Sequence, residues 1–263
     1  MSGPGLAVVT GASSGIGLAF AESLAERGHP LLLVARREER LRALAGRLER
    51  AHGVPAQVCV ADLATAAGRE RCRSCVDAAE HPVEVAVLNA GFGTRGHLSR
   101  LERAREVEEI ELNCAGVVDL GCHVLPGLVA RGRGILIVVS SAAAFQPVPF
   151  MATYAATKAF SLHWTEALAW ELRGTGVRAI AVCPGPTRTE FAGGSSGGRF
   201  DRAIPRDDPR DVVRATWTAL AAGRTRVSTG TAARLAAAAA RIAPRRLVVG
   251  AAGALHRPRG ARQ

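Results

Sequence analysis

An α/β fold, built as a doubly wound parallel sheet between two layers of helices, is predicted by three observations on the chain. Short apolar runs alternate with longer stretches of helical periodicity, the pattern of successive βαβ units and so of a parallel sheet covered on both faces. Polar residues gather just beyond the C-terminal ends of these runs, where sheets of this kind bind ligands. A glycine-rich turn lies between the first run and the first helical stretch. With 263 residues, 48% of them hydrophobic, the chain can bury a substantial core. No Pro/Ser-rich linker interrupts it before residue 192, so residues 1–263 are read as a single three-layer α/β/α domain.

Taken in order, Leu6–Thr10 reads as a short buried strand, followed by Gly-Ala-Ser-Ser-Gly-Ile-Gly from Gly11 to Gly17 and a helix to about Gly28. A glycine turn at this place lets backbone N–H groups and a helix N-terminus approach a pyrophosphate, as in Rossmann-like dinucleotide folds. The second strand, Pro30–Ala35, ends in Arg36 and Arg37. An acid at this position would bind the ribose of NAD, whereas arginine accommodates the 2′-phosphate of NADP. The same two arginines also suit the exposed start of the next helix, whose Glu38 and Arg42 stand at i,i+4 spacing. A third strand, Ala56–Ala61, leads to Asp62 and Leu63, and a fourth, Val83–Leu88, leads to Asn89, Ala90 and Gly91. A helical stretch over roughly 100–130 carries Asn113 in the apolar setting ELNCAGVV, and an asparagine buried there needs partners. The fifth strand, Gly134–Val139, meets Ser140 and Ser141. A proline-punctuated loop and a helix from about Met151 to Arg173 follow. The sixth strand, Val177–Cys183, runs into Pro184, Gly185, Thr187 and Thr189.

Tyr154 is the only tyrosine in the chain, and Lys158 is the only lysine beside 33 arginines. Four residues apart on a helix, they share one face. An ammonium beside a phenol favours the phenolate and lowers a pKa that starts near ~10, giving an acid/base usable near neutrality. Arginine cannot act as the same compact point charge. On the pair alone, function and coincidence both stay open.

Together these pieces resemble one family, the short-chain dehydrogenases/reductases, over about residues 5–190. The matching motifs are TGASSGIG, Asp62, LNAG in place of the family's NNAG, Asn113, Ser141 thirteen residues before Tyr154, Lys158, and P-G-x-x-x-T ending at Thr189. The resemblance is to the single-domain, NADP-preferring carbonyl reductases. It implies that Tyr154 protonates a ketone or aldehyde oxygen as hydride arrives from the nicotinamide, and that Ser141 hydrogen-bonds the same oxygen. It implies that Lys158 binds the nicotinamide ribose and lowers the Tyr154 pKa, while Asn113 anchors a relay water. It likewise assigns Gly11, Ser13, Ser14, Gly15, Ile16 and Gly17 to the phosphate turn and Asp62 and Leu63 to adenine. Asn89, Ala90 and Gly91 fall to the ribose side, and Pro184, Gly185, Thr187 and Thr189 to the nicotinamide and phosphates. A homodimer or homotetramer through the helices around Asn113 and Tyr154 is implied as well.

Two departures stand out: Leu88 replaces the first asparagine of NNAG, and RVSTG (Arg226–Gly230) leads into an added Ala/Arg-rich segment instead of the usual glycine-rich close. Residues 190–208, with GGSSGG between Phe191 and Phe200, read either as a substrate lid or as a surface loop. Phe92, Phe145, Val148 and Phe150 suit either an apolar substrate pocket or the core. The net charge of +11 belongs to the tail, because residues 224–263 hold nine arginines and no acid, leaving 25 basic against 23 acidic side chains before them. Such a segment suits packing on the domain or on another subunit, or peripheral contact with an anionic membrane. It has too few aromatics for a single-stranded nucleic-acid partner. The six cysteines read as small buried residues, and Cys72-x-x-Cys75 has no second ligand pair, so no metal site is expected. The start of the chain lacks a basic, then apolar, leader pattern, and a cytoplasmic protein is expected. The expected function is NADPH-dependent reduction of an apolar carbonyl compound, or the reverse oxidation. The rival is an NADP-binding or membrane-associated scaffold without turnover.

Overall fold

The computed structural model describes residues 3–190, 206–230 and 242–257. Strand β1 (Leu6–Thr10) turns into helix α1 (Gly15–Glu26), and β2 (Leu31–Ala35) into α2 (Glu38–His52). Next come β3 (Ala56–Val60), α3 (Ala66–Asp77) and β4 (Val83–Leu88). A continuous helical stretch then runs as α4 (Arg103–Ile110), a π turn (Glu111–Ala115) and α5 (Gly116–Ala130). The remainder is β5 (Gly134–Val139), α6 (Ala152–Glu171), β6 (Val177–Cys183), α7 (Pro209–Ala221), β7 (Arg226–Ser228) and α8 (Arg245–His256). The expected strands and helices are present, with Pro30 and Ala61 just outside their strands and the long helix starting three residues late, after a 3₁₀ turn at Leu98–Arg100.

The seven strands form one sheet in the order β3-β2-β1-β4-β5-β6-β7, and every neighbouring pair is parallel. Strand order reverses between β1 and β4, so a crevice opens there at the C-terminal edge. Alternate residues of each strand feed two cores. Ala7, Val9, Leu31 and Leu33 meet Phe20 and Leu24 of α1, Leu41 and Leu48 of α2, and Val212 of α7. Leu6, Val8, Leu32 and Val34 face the opposite layer, with Val117, Leu120, Val124 and Leu128 of α5. By length and composition the Arg103–Ala130 stretch is apolar enough to cross a membrane, with a mean hydropathy of 1.4 in its best window. Its apolar side is spent on the second core instead, against β4 and α3.

Three of the cysteines, Cys59 of β3 and Cys72 and Cys75 of α3, cluster thiol to thiol between sheet and helix. The hydrogen bond from Cys72 and burial push the Cys59 thiol far above its ordinary value, and burial holds Cys75 at about 11. Among the described residues, no group of three or more His, Cys, Asp or Glu side chains is placed to hold a metal ion.

Candidate active site

The crevice between β1 and β4 is built first by the glycine turn. Gly11 and Gly15 take left-handed φ of 66° and 57°, a conformation that costs a side chain bearing Cβ. A Cβ on Gly17 would lie 2.4 Å from the Gly11 carbonyl oxygen, so the first turn of α1 can approach the strand end only as glycine. Ser14 caps that helix in extended backbone without a side-chain cap bond. The N–H groups of the first turn thus stay free for an anion, and the helix dipole favours one. Thr10, at the tip of β1, locks the turn to β4: its hydroxyl accepts from the N–H of Asn89 (2.9 Å) and of Ala90 (3.0 Å). Asn89 Nδ2 donates to the Thr10 carbonyl at 2.9 Å. Asn89 therefore supports the turn through its side chain, a use that its assignment to the ribose side did not anticipate.

The second cluster forms where β5, the π turn and α6 meet. Tyr154, Lys158 and Asn113 are all buried. Ser141 lies two residues past the end of β5, its hydroxyl accepting from Ala143 N (3.1 Å) and hydrogen-bonded to the Tyr154 phenol. Ser140 instead donates to the Lys158 carbonyl at 2.7 Å and pins the helix, which separates the two serines' tasks. Lys158 Nζ donates to the Val139 carbonyl at 3.0 Å and lies 5.9 Å from the centre of the Tyr154 ring. Asn113 is turned inward by the π turn: Nδ2 donates to Phe92 O (2.8 Å) and Thr157 Oγ1 (3.0 Å), and Oδ1 accepts from Phe92 N (3.2 Å). Gly91 lies between them, since a Cβ there would sit 2.8 Å from Asn113 Oδ1 and 3.1 Å from Lys158 Nζ.

A phosphate-binding glycine turn and a buried Ser-Tyr-Lys-Asn set now stand at one sheet edge, and the short chain dehydrogenase family model matches residues 5–197. The chain belongs to that family. Over 222 residues the dehydrogenase is 33% identical to a very-long-chain 3-oxoacyl-CoA reductase of Anas platyrhynchos, covering 80% of this chain and 69% of that protein. It is 35% identical over 194 residues to the glycine betaine reductase ATRR of Emericella nidulans, which takes in 73% of this chain and 15% of the larger protein. Among solved structures, a short-chain dehydrogenase from Sphingobium yanoikuyae in complex with NADPH superposes with a TM-score of 0.80 at 30% identity, covering 98% of both chains.

Electrostatics in this dehydrogenase depart from the expected pairing of Tyr154 with Lys158. Burial pushes the Tyr154 phenol up to about 12, against the Ser141 hydrogen bond, and the Glu109 charge pushes it the same way. Burial also brings Lys158 down to about 8, against the influence of Cys114, Glu109 and Cys183. Lowering of the phenol pKa by the ammonium is thus not found: both groups are out of water, and Lys158 spends its contact on a carbonyl of β5. The proton therefore stays on the phenol at neutral pH.

The two arginines predicted for a 2′-phosphate separate. Arg37 donates to Ser13 Oγ through Nε (3.2 Å) and Nη2 (2.9 Å), and to Ser14 Oγ (2.9 Å). Arg36 turns the other way, 3.6 Å from Asp62 and from Glu108. Asp62 also accepts from Ala64 N at 3.1 Å, while the Leu63 side chain is buried in the second core and its carbonyl accepts from Arg69 at 3.3 Å. Thr189 lies against Gly15, and Thr187 donates to the Gly185 carbonyl at 2.9 Å. Pro184 and Gly185 are held between the end of β5 and β7 by backbone bonds to Ala142 and Thr229. An open groove of about 660 Å³ runs beside this turn, lined by Ser13, Ser14, Gly15, Arg40, Thr189 and Glu190. Glu190 spans Arg37 (2.6 Å) and Arg40 (2.5 Å), and the hydrogen bonds from these two arginines hold its carboxyl down at about 2.

On the substrate side, Phe145 packs on the buried cluster of Ala144, Leu162 and Cys183, and Val148 is buried too. Phe92 lies under the Arg105 guanidinium, 4.1 Å from its ring centre. Phe150 lines a cavity of about 150 Å³ shared with Gly96, His97, Leu98 and Leu101. Phe150 holds a left-handed φ of 68°, an uncommon state for a bulky residue, secured by the bond from Gly96 N to its carbonyl (2.9 Å). The described part of the C-terminal segment packs over this rim: Gly253 faces Pro149, and Arg95 donates to the His256 carbonyl at 3.0 Å. The central residues of the suggested lid, 191–205, and residues 231–241 and 258–263 of the tail lie outside the described residues. Thr10, Thr157, Arg40, Glu109 and Glu190 were not singled out from sequence. Thr10 alone carried a signal, as the polar last residue of a buried apolar run.

Proposed function

We propose that this dehydrogenase reduces an apolar ketone, aldehyde or oxoacyl carbonyl to the alcohol with NADPH, with Tyr154 as the general acid. The observation that carries this reading is the buried Tyr154 phenol, hydrogen-bonded to Ser141 and four residues from Lys158. NADP(H) suits the residues present. The turn of Gly11, Gly15 and Gly17, with the backbone of Ile16, would hold the pyrophosphate, and Ser13, Ser14 and Arg37 a 2′-phosphate. When bound, the cofactor supplies or accepts the hydride.

This chain's own residues do the rest. Ser141 and Tyr154 hydrogen-bond the carbonyl oxygen, and the phenol gives up its proton as negative charge develops there. The Lys158 ammonium then stabilises the phenolate. Asn113, anchored on Phe92 and Thr157, keeps the neighbourhood of Lys158 polar and ordered. The similarity to a 3-oxoacyl-CoA reductase favours an oxoacyl or similarly long, apolar substrate. The exposed apolar side chains of Val107, Ile110, Phe160 and Trp170, on α4 and α6, suit a homo-oligomer. A cytoplasmic location, with peripheral membrane contact through the arginines of the tail, completes the reading.

The test is turnover of a panel of ketones, aldehydes and oxoacyl thioesters by wild type and Tyr154→Phe. Expected is a loss of roughly 10²–10⁴-fold in kcat with NADPH affinity unchanged. A mutant as active as wild type would remove Tyr154 from the mechanism. Tight NADPH binding without turnover of any carbonyl would favour the scaffold reading instead.

A further inference from the structure

Helix α8, at the rim of the substrate side, presents a face that the rest of the described fold leaves uncovered. Between Arg246 and His256 it reads LVVGAAGAL, without one polar side chain. Its inner side rests on the domain: Ala252 and His256 are buried, and a Cβ on Gly253 would lie 3.3 Å from Pro149. On the outer side Leu247, Ala251, Ala254 and Leu255 follow at helical spacing, all exposed, Leu247 to 66% and Leu255 to 41%. Ile242, three residues before the helix, is 88% exposed. A surface helix ordinarily turns polar residues to water, whereas α8 is apolar on both sides.

The charge around this face is of one sign. Arg245 and Arg246 open the helix and Arg257 follows it, all exposed and without an ion pair among the described residues. Cations at a helix N-terminus work against the helix dipole, and residues 224–263 hold no acid to answer them. Apolar side chains framed by unanswered arginines are complementary to an anionic lipid surface, whose acyl region takes the former and whose phosphates take the latter. A second copy of the chain fits less well. One α8 face laid on another would set arginine against arginine with no carboxylate between them.

We propose that the outer face of α8 is a docking surface for an anionic lipid bilayer, and that docking holds the Phe150 rim of the active site against the membrane. The inner side of α8 joins that rim at Pro149 and Arg95. These are the chain neighbours of Phe150 and Gly96, which line the cavity of about 150 Å³. Leu98, also on its wall, is 59% exposed. A carbonyl compound dissolved in the bilayer then has an apolar way in. The inference deepens the proposed function and rests on it for the nature of the substrate, while the docking stands on α8 alone.

Flotation of the full-length protein with phosphatidylcholine vesicles, with and without phosphatidylserine, tests the docking. Wild type should float with the anionic vesicles, release as salt is raised, and stay behind with phosphatidylcholine alone. Arg245→Gln combined with Arg246→Gln should lose about 30-fold in partition. Leu247→Asp combined with Leu255→Asp should not float, with NADPH fluorescence titration showing that both variants keep the cofactor site. Wild type that stays behind with anionic vesicles, or an Asp variant that floats like wild type, overturns the proposal. So does wild type that never floats and sediments, without lipid, as a larger species than the Asp variant, for the face is then a contact between copies. Should the Asp pair fail to fold, Ala251→Asp alone must weaken flotation, and an unmoved partition there is equally fatal. A long-chain ketone carried in anionic vesicles should be reduced faster by wild type than by the Asp variant, at equal rates on a water-soluble ketone; equal rates on both remove the delivery of substrate from the bilayer. Flotation is read without turnover. Docking by a protein that reduces no carbonyl would therefore leave the surface standing and remove the proposed function.

Discussion

Arg37 reaches Ser13 and Ser14 while Arg36, one peptide earlier, points to Asp62 and Glu108 on the far side of β2. Successive side chains at a strand end face opposite ways, so two adjacent arginines cannot serve one phosphate equally. Arg37→Ala should weaken NADPH binding by roughly 10–100-fold, the loss of a charge-assisted hydrogen bond, and leave NADH almost unaffected; Arg36→Ala should do less. Fluorescence titration with both cofactors measures this. Glu190 sits on Arg37 and Arg40, where a 2′-phosphate would compete with it. Glu190→Gln should therefore tighten NADPH binding, by no more than about 5-fold because the ion pairs are exposed. A basic pair after the second strand was legible in the sequence through its distance from the glycines. Glu190 was not, since it lies 153 residues from Arg37 and only folding joins them.

Helices and strands were legible because their apolar periods differ. The same reasoning located Asn113 as a buried polar residue needing partners, without saying how a helix interior could supply them. The answer is the π turn at Glu111–Ala115, whose extra residue per turn swings Asn113 toward Phe92 and Thr157. Hydrophobic period cannot show one inserted residue in a helix that stays apolar on both sides of it. Asn113→Ala leaves Phe92 O and Thr157 Oγ1 without their donor, and should cost about 1–3 kcal/mol, read as a lower Tm. In the first turn of α1, Gly17→Ala would force the turn open, because its Cβ meets the Gly11 carbonyl oxygen, backbone that cannot turn aside, at 2.4 Å and Asn89 Nδ2 at 2.5 Å. NADPH binding should be lost in Gly17→Ala even where the protein still folds, with circular dichroism reporting the fold and fluorescence the binding.

Across the whole molecule, burial at the sheet edge separates the two directions of the reaction in pH. Tyr154, raised from 10.0 to about 12, keeps its proton through the neutral range. On the proposed mechanism reduction uses the phenol, and carbonyl reduction should then hold steady up to about pH 8 and decline above it as Lys158 loses its charge. On the same proposal oxidation uses the phenolate, and alcohol oxidation should rise with pH over the same range. Initial rates in both directions check this, and parallel profiles would contradict it. Stability carries its own signature. Lys158 is lowered from 10.5 to about 8, so its contribution is present above the unfolded value and lost as pH falls through the folded one. Glu109 is raised from 4.5 to about 7, so its contribution is present at low pH and lost as pH rises through the folded value. Urea midpoints of Glu109→Gln and wild type should accordingly diverge between pH 5 and 7, the wild type losing ground as pH rises. The strand order is seen only in the structure, whereas the doubly wound parallel sheet was implied by the βαβ alternation. The packing of α8 over the Phe150 rim was not, because an Ala- and Arg-rich segment has no period that names its partner.

The thiol cluster beneath β3 has a practical consequence for anyone handling this enzyme. Thiolates, not thiols, react with peroxide and with alkylating reagents; Cys59 and the half-buried Cys75 are held protonated, and Cys72 is buried beside them. The CxxC pair should therefore sit out months of storage in air without a reducing agent. Cys122, the exposed thiol on α5, is the place where a maleimide dye or a tethering group should attach first.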